Sequence, residues 1–321
     1  MGDLTEHAAH RLYEVSRDLL APALAAFAAE WLDELAEHSD AVAVCLARDG
    51  LAPFLAARTL MRTHPRRFRH VAARRVRLAY VSRALAHRAA ADTGEAVLLD
   101  RYLRTQGVSA GSPLVLVDVG IHGSIQDCLR TIYPERALRG RYLLLRRRSG
   151  DPNGAHKGGF LADLDVAPSS VLTICASCSS EPELGGTLRH GHGVFLKPRS
   201  VRVFEDLWNG VGEGAVGYRV LPDARVAVVR GRREHALSFA PMPVITPRER
   251  TALKCAALRG VVDGVARAGQ AGQPRDGGRG AAARLAEWFR GLDDPATLDA
   301  FIVGALLRVR RADESSEYET S

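Results

Sequence analysis

One pattern constrains this chain more than any other: a short, wholly apolar run that ends abruptly in charge and glycine and passes at once into helical periodicity. It occurs in "AVAVCLARDG" followed by "LAPFLAARTLMR", and again in "PLVLVDVGIHGSIQDCLRTI". A continuous apolar run bounded by turn residues is a strand buried on both faces. Such strands belong to parallel sheets covered by helices.

The neighbouring segments extend this grammar. Residues 3–38 carry Leu, Val, Ala, Phe and Trp at helical spacing, with Pro22 expected to break or kink the helix. A strand is expected at 41–47, a helix at 51–63, a strand at 75–82 and a short helix at 95–107 capped by Gly107. A strand at 113–120, the helix "SIQDCLRTIY" and the strand "RGRYLLLRRR" follow. The order β-α-β-α-β-α-β predicts an α/β fold, with a Rossmann-like parallel sheet over about 40–150 behind an N-terminal helical segment, 1–39.

Beyond residue 150 the pattern changes to a mixed α/β region, 151–267. "SGDPNGAHKGGF" is turn-rich, 171–176 is a candidate strand, and 217–231 reads as a hairpin around Pro222-Asp223. Residues 247–267 read as helix, and 268–280 has the composition of a flexible linker. Helices are expected within 281–311, and the acidic 312–321 is expected to be a disordered tail.

Bulk properties exclude some classes. With 46% hydrophobic and 25% charged residues the chain is of ordinary globular composition, and no apolar run reaches the roughly 20 residues of a membrane helix. "MGDLTEHAAH" lacks the order of a secretory signal, and five scattered cysteines do not form a disulfide framework, so a cytoplasmic location is expected. Net charge is +7, densest in "RRFRHVAARRVR". Phe68 is the one aromatic there and no nucleic-acid motif accompanies it, which argues against nucleic acid. The run reads as a solvated helix end and loop, with a nearby anionic small ligand as the alternative.

Ligands of open parallel sheets bind at the carboxyl ends of the strands. Arg48, Asp49 and Gly50, then Ser82 and Arg83, then Asp118 through Ser124 would converge there. In "GIHGSI", Gly120 and Gly123 let backbone N–H groups approach an anion, Ser124 adds a hydroxyl, and a helix begins. The alternative is plain turn-and-cap chemistry. Asp49 and Asp118 are candidates for Mg2+ or sugar hydroxyls, and His122 for proton transfer. The same residues serve equally as loop caps, ion-pair partners or a solvated histidine. Cys175 and Cys178 with His190 and His192 have spacings that match no established zinc site. Glu181 and Glu183 lie on a loop that is a candidate lid.

Three resemblances rest on these residues. "LARDGLAP" resembles the first motif of haloacid-dehalogenase-like phosphatases: Asp49-Gly50 match, while the nucleophilic aspartate falls on Ala47, which removes the aspartyl-phosphate route. Residues 40–150 are similar to the phosphoribosyltransferase-like fold. Ala47-Arg48-Asp49-Gly50 stands at its pyrophosphate turn, Arg83 at its basic position, and "VLVDVGIHGSI" at its ribose-phosphate loop. Val119 replaces the second acid there. The ordered set "LARDG", "YVSR" and "VDVGIHGSIQ" also resembles a poorly characterised bacterial module with "SRDG", "VSR" and "VDIGWxGSxQ". That module often follows haloacid-dehalogenase-like domains in surface-polysaccharide gene products.

These resemblances imply an enzyme acting on a phosphorylated sugar or nucleotide, transferase-like in layout. Arg48 and Arg83 would hold phosphate or pyrophosphate. Gly50, Ser82, Gly120, Gly123, Ser124 and Gln126 would line the site. Asp49, Asp118 and His122 would do the chemistry, with Mg2+ on the two aspartates. The alternatives are a phosphate-ester hydrolase without the usual nucleophile and a non-catalytic binding protein. The oligomeric state, a homo-oligomer included, is open.

Overall fold

In the computed structural model, the residues described are 3–47, 49–148, 150–165, 208, 214–231, 247–270, 280, 281, 284, 285 and 288. The N-terminal helical segment runs as α1 (Asp3–Val15), a π-helical turn at Ser16–Leu20, and α2 (Ala21–Glu37). Pro22 stands in the first turn of α2. It has no N–H to return to the preceding turn, and the ladder widens there by one residue: Ala21 N donates to Ser16 O.

The next elements are β1 (Val42–Ala47), α3 (Leu51–Thr63), β2 (Val76–Tyr80), α4 (Arg83–Ala91), α5 (Thr93–Thr105), β3 (Leu114–Ile121), α6 (Ser124–Ile132) and β4 (Leu138–Arg147). The expected strands and the α3 helix are present. The segment between β2 and β3 differs, because it holds two helices rather than one. Ser82 Oγ accepts from Leu85 N at the start of α4, and Asp92 Oδ1 accepts from Glu95 N at the start of α5. The Asp92 cap ends one helix and starts the next, a local break that periodicity over so short a span hides. Gly107 closes α5 as expected, with φ +80 and Val108 N bonded to Leu103 O.

A fifth strand, β5 (Lys157–Asp165), lies in part of the stretch expected to be turns. It pairs parallel to β4, so the sheet extends past residue 150. The five strands are all parallel, in the order β2-β1-β3-β4-β5. The expected hairpin forms from β6 (Gly214–Val220) and β7 (Val226–Gly231), and the last long helix is α7 (Pro247–Gln270). The candidate strand at 171–176, the lid with Glu181 and Glu183, the Cys175–His192 group and the 312–321 tail lie outside the described residues. So does most of the 268–280 linker and of the helices expected after it.

The two sheet faces are covered separately. Val115, Val117 and Val119 of β3 pack with α1, α2, α3 and α7, in a core containing Phe27, Trp31 and Val261. Leu114 and Leu116, one residue out of phase, pack with α4, α5, α6 and the hairpin around Leu85, Leu99 and Tyr218. This period of two along β3 puts Asp118 and Gly120 on the α4–α6 side. The chain is thus an α/β protein with a Rossmann-like, doubly wound sheet. No described helix is long and apolar enough to cross a membrane.

Candidate functional site

The strand order reverses between β1 and β3: α3 leads from β1 to one side, and α6 leads from β3 to the other. Such a switch point opens a crevice at the carboxyl edge. Two loops border it, at residues 48–50 and 120–123. Arg48, expected as a phosphate ligand, lies outside the described residues.

The first loop is very tight. Gly50 N donates to Leu46 O at 2.7 Å, and a Cβ on Gly50 would lie 2.6 Å from Leu46 N. Glycine is required there by space, and it leaves α3 starting without a side-chain cap. The second loop is shaped the same way. Gly123 is the N-cap of α6 at φ 64, with no side-chain cap. At Gly120, φ is +132 and a Cβ would lie 1.8 Å from Leu144 O, so any side chain would collide with β4. The Gly120–Ile121 peptide is cis. The two helices that begin at the switch point therefore present N–H groups that no side chain caps. Away from it, α4 and α5 are capped by Ser82 and Asp92.

His122 is half-buried, and its Nδ1 lies 2.9 Å from Arg146 O. A carbonyl only accepts, so Nδ1 carries the proton and Nε2 is left as an acceptor in the neutral ring. Burial, together with the charges of Arg148, Arg146 and Arg83, holds the His122 pKa below its ordinary value. Arginines from two strand ends thus bias the charge of one histidine. The Nε of Arg146 is buried and has no hydrogen-bond partner among the described residues. Arg146 and Arg148 were missed by sequence reasoning, although the rule that polar residues at strand ends matter applies equally to "LLLRRR".

Asp118 is buried, and its Oδ1 accepts from Val119 N at 2.9 Å. After burial, its charge is the next cause pushing up the Cys45 thiol and the Tyr142 hydroxyl. Both groups are thereby kept in their neutral, protonated forms. Asp49 stands on the β1–α3 turn, half-buried. Among the described residues no cluster of three metal-ligating side chains occurs.

Three expected site residues have different duties. Gln126 does not line the crevice: it is 0% exposed, its Oε1 accepts from Tyr142 Oη at 2.9 Å, and its Nε2 donates to His156 O at 3.2 Å. Helical phase turns it inward onto β4. Ser82 uses its oxygen to cap α4. Ser124 is buried in the first turn of α6, so the loop offers backbone N–H groups more than its hydroxyl. Arg83, in contrast, is exposed at the start of α4 and near enough to His122 to act on its charge.

Beneath the loop lies a residue that sequence reasoning also missed. The Lys157 side chain is 0% exposed and its Nζ lies 2.7 Å from both Asp127 Oδ1 and Asp151 Oδ2. It also donates to His122 O at 3.2 Å. Lys157 ties the 120–123 loop, α6 and the β4–β5 connection together. Asn153 Nδ2 adds a bond to Asp127 Oδ1 at 2.8 Å.

The fold is that of a doubly wound α/β protein, and two glycine turns, with Arg83 and Arg146 nearby, stand at its switch point. Compared with models of known protein families and with curated proteins, the chain matches none.

Proposed function

We propose that the switch-point crevice binds the phosphate of a phosphorylated sugar or nucleotide, and that the protein is an enzyme with a phosphoribosyltransferase-like layout. The observation that carries this reading is the pairing of two uncapped helix N-termini, α3 behind Gly50 and α6 behind Gly123, at the one place where the strand order reverses. A helix N-terminus contributes only ~0.3–1 kcal/mol to holding an anion, whereas a charged hydrogen bond from arginine contributes about 1.5–3 kcal/mol. Arg83 and Arg146 therefore do most of the holding, and the loop sets the position.

In this reading the backbone of Gly120, Gly123 and Ser124 cradles the phosphate. Asp118 takes sugar hydroxyls, or shares Mg2+ with Asp49. Two carboxylates from adjacent strand ends suit that ion, which keeps water and phosphate oxygens in its remaining positions. His122 offers Nε2 to a proton on the reacting group. Transfer would rest on fixed positive charge stabilising a leaving anion. Ala47 stands where a haloacid-dehalogenase-like phosphatase needs its nucleophile, which weighs against hydrolysis of that kind.

The test is thermal unfolding with phosphoribosyl pyrophosphate, ribose 5-phosphate and AMP, each with and without Mg2+. A ligand at 100 times its Kd adds about 2.7 kcal/mol. The expected result is an upward shift with at least one of these ligands, reduced in Arg83→Gln and Arg146→Gln. No shift with any of them would overturn the reading. A shift without turnover of the bound compound would convert the enzyme into a binding protein.

A further inference from the structure

A cavity lies toward the amino-terminal edge of the sheet, away from the switch point. It has a volume of about 550 Å³ and is built from the second half of α3, the connection to β2, and one wall from α7. Arg58 and Arg62 stand one turn apart on α3, with Leu55 and Thr59 on the same stripe. Arg69 faces them from the connection, Phe68 and Val71 are buried beneath, and Val262 closes the side. Residue 62 is some 16 Å along α3 from the helix start at the crevice. The two sites are therefore separate.

The cavity is preformed. The connection is pinned on its far side by Arg67, whose Nη2 donates to Asp33 Oδ2 at 2.8 Å. Arg75 fastens its end: Nε donates to Ala41 O at 2.8 Å and Nη2 to Leu35 O at 2.6 Å, closing the carbonyl end of α2. Arg58 Nη1 braces the rim by donating to Ala73 O at 2.9 Å. No bond or ion pair from Arg62 to another described side chain occurs, and Arg69 Nε meets only His70 Nε2, at 2.9 Å. Among the described residues, no aspartate or glutamate lines the cavity. Three exposed arginines thus rim an apolar floor, with no carboxylate among the described lining residues.

We infer that this cavity is a binding site for an amphipathic organic anion, its acidic head among Arg58, Arg62 and Arg69 and its apolar body on Phe68, Val71 and Val262. Each half of the site selects one half of the ligand. Arginine forks fit planar or tetrahedral oxyanions, and the floor rewards apolar area. The volume suits a small organic molecule, and it is roomier than a bare inorganic anion needs.

The probe is 8-anilinonaphthalene-1-sulfonate, titrated into the full-length chain by fluorescence and calorimetry. The controls are neutral N-phenyl-1-naphthylamine and inorganic sulfate. One dye site that survives Arg83→Gln with Arg146→Gln is expected, and in that variant the sulfonate dye should bind at least about tenfold more tightly than either control. Arg62→Gln with Arg69→Gln should weaken the dye by tenfold or more. Arg104→Gln on α5, far from the cavity, should leave binding unchanged. Three results would each overturn the inference: no saturable dye binding in the Arg83→Gln, Arg146→Gln variant, equal binding of the neutral analogue, or undiminished affinity in the Arg62→Gln, Arg69→Gln variant. Arg62 and Arg69 are exposed, so loss of fold does not confound the test.

Discussion

Tyr142 donates its hydroxyl to Gln126 Oε1 at 2.9 Å, and both side chains are sealed from solvent. This bond joins α6 to β4 directly below Gly123, whose missing Cβ would lie 2.8 Å from the same hydroxyl. Removing the hydroxyl strands a buried acceptor, which costs about 1–3 kcal/mol. Tyr142→Phe should lower unfolding stability in urea by that amount. Unchanged stability would mean that Gln126 finds another donor.

Gly123→Ala should be worse for the site than for the fold. The left-handed backbone costs an alanine ~1–2 kcal/mol, and the new methyl presses on Tyr142 and Lys157. Anion affinity at the crevice should fall while circular dichroism stays native. Retained affinity would remove the loop from the anion site.

Lys157→Met should be among the most destabilising single changes. It leaves Asp151, with a side chain only 5% exposed, without its cation. Breaking one partner of a buried ion pair costs about 3–5 kcal/mol. Thermal unfolding should shift down by several degrees or more. Lys157→Met with Asp151→Leu should recover part of the loss, and no recovery would refute the pairing.

The His122 imidazole is held below its ordinary pKa of 6.5, first by burial and then by Arg148, Arg146 and Arg83. The folded chain therefore resists protonation that the unfolded chain accepts. The stability this group contributes is complete above about pH 6.5 and is lost as pH falls below that through the folded value. His122→Asn should flatten this part of the stability profile.

A bound anion reverses the bias by favouring the charged ring. Sulfate, which does not titrate in this range, should bind more tightly at about pH 5.5 than at about pH 7.5. The same comparison in His122→Asn should show no dependence. Equal pH dependence in both proteins would place the anion away from His122.

Much of the parallel core was legible because its signals are local. The uninterrupted apolar runs of β1 and β3 cannot be half-exposed, and the helical spacing in α3 begins at the residue where the strand pattern ends. Charged strand ends at Asp49, Arg83 and Asp118 follow from the same reading. The fifth strand was not legible, since "KGGFLADLD" is rich in glycine and neither alternates nor runs apolar. It is a strand because β4 offers it an unpaired edge. The break between α4 and α5 was also hidden, because one Asp92 serves both as C-cap and N-cap.

The sequence by itself determined the strand and helix phases of the core, the doubly wound class and the glycines at the two turns. Those follow from periodicity and from steric limits that act within a few residues. Tertiary structure alone decided that Gln126 points inward to Tyr142, that Lys157 lies under the 120–123 loop, that the Arg146 carbonyl meets His122 Nδ1, and that Val262 of α7 walls a cavity on α3. Each joins segments separated by 16 to 200 residues, and the order of strands in the sheet and the packing of its covering helices, not any local pattern, bring them within hydrogen-bonding or packing distance.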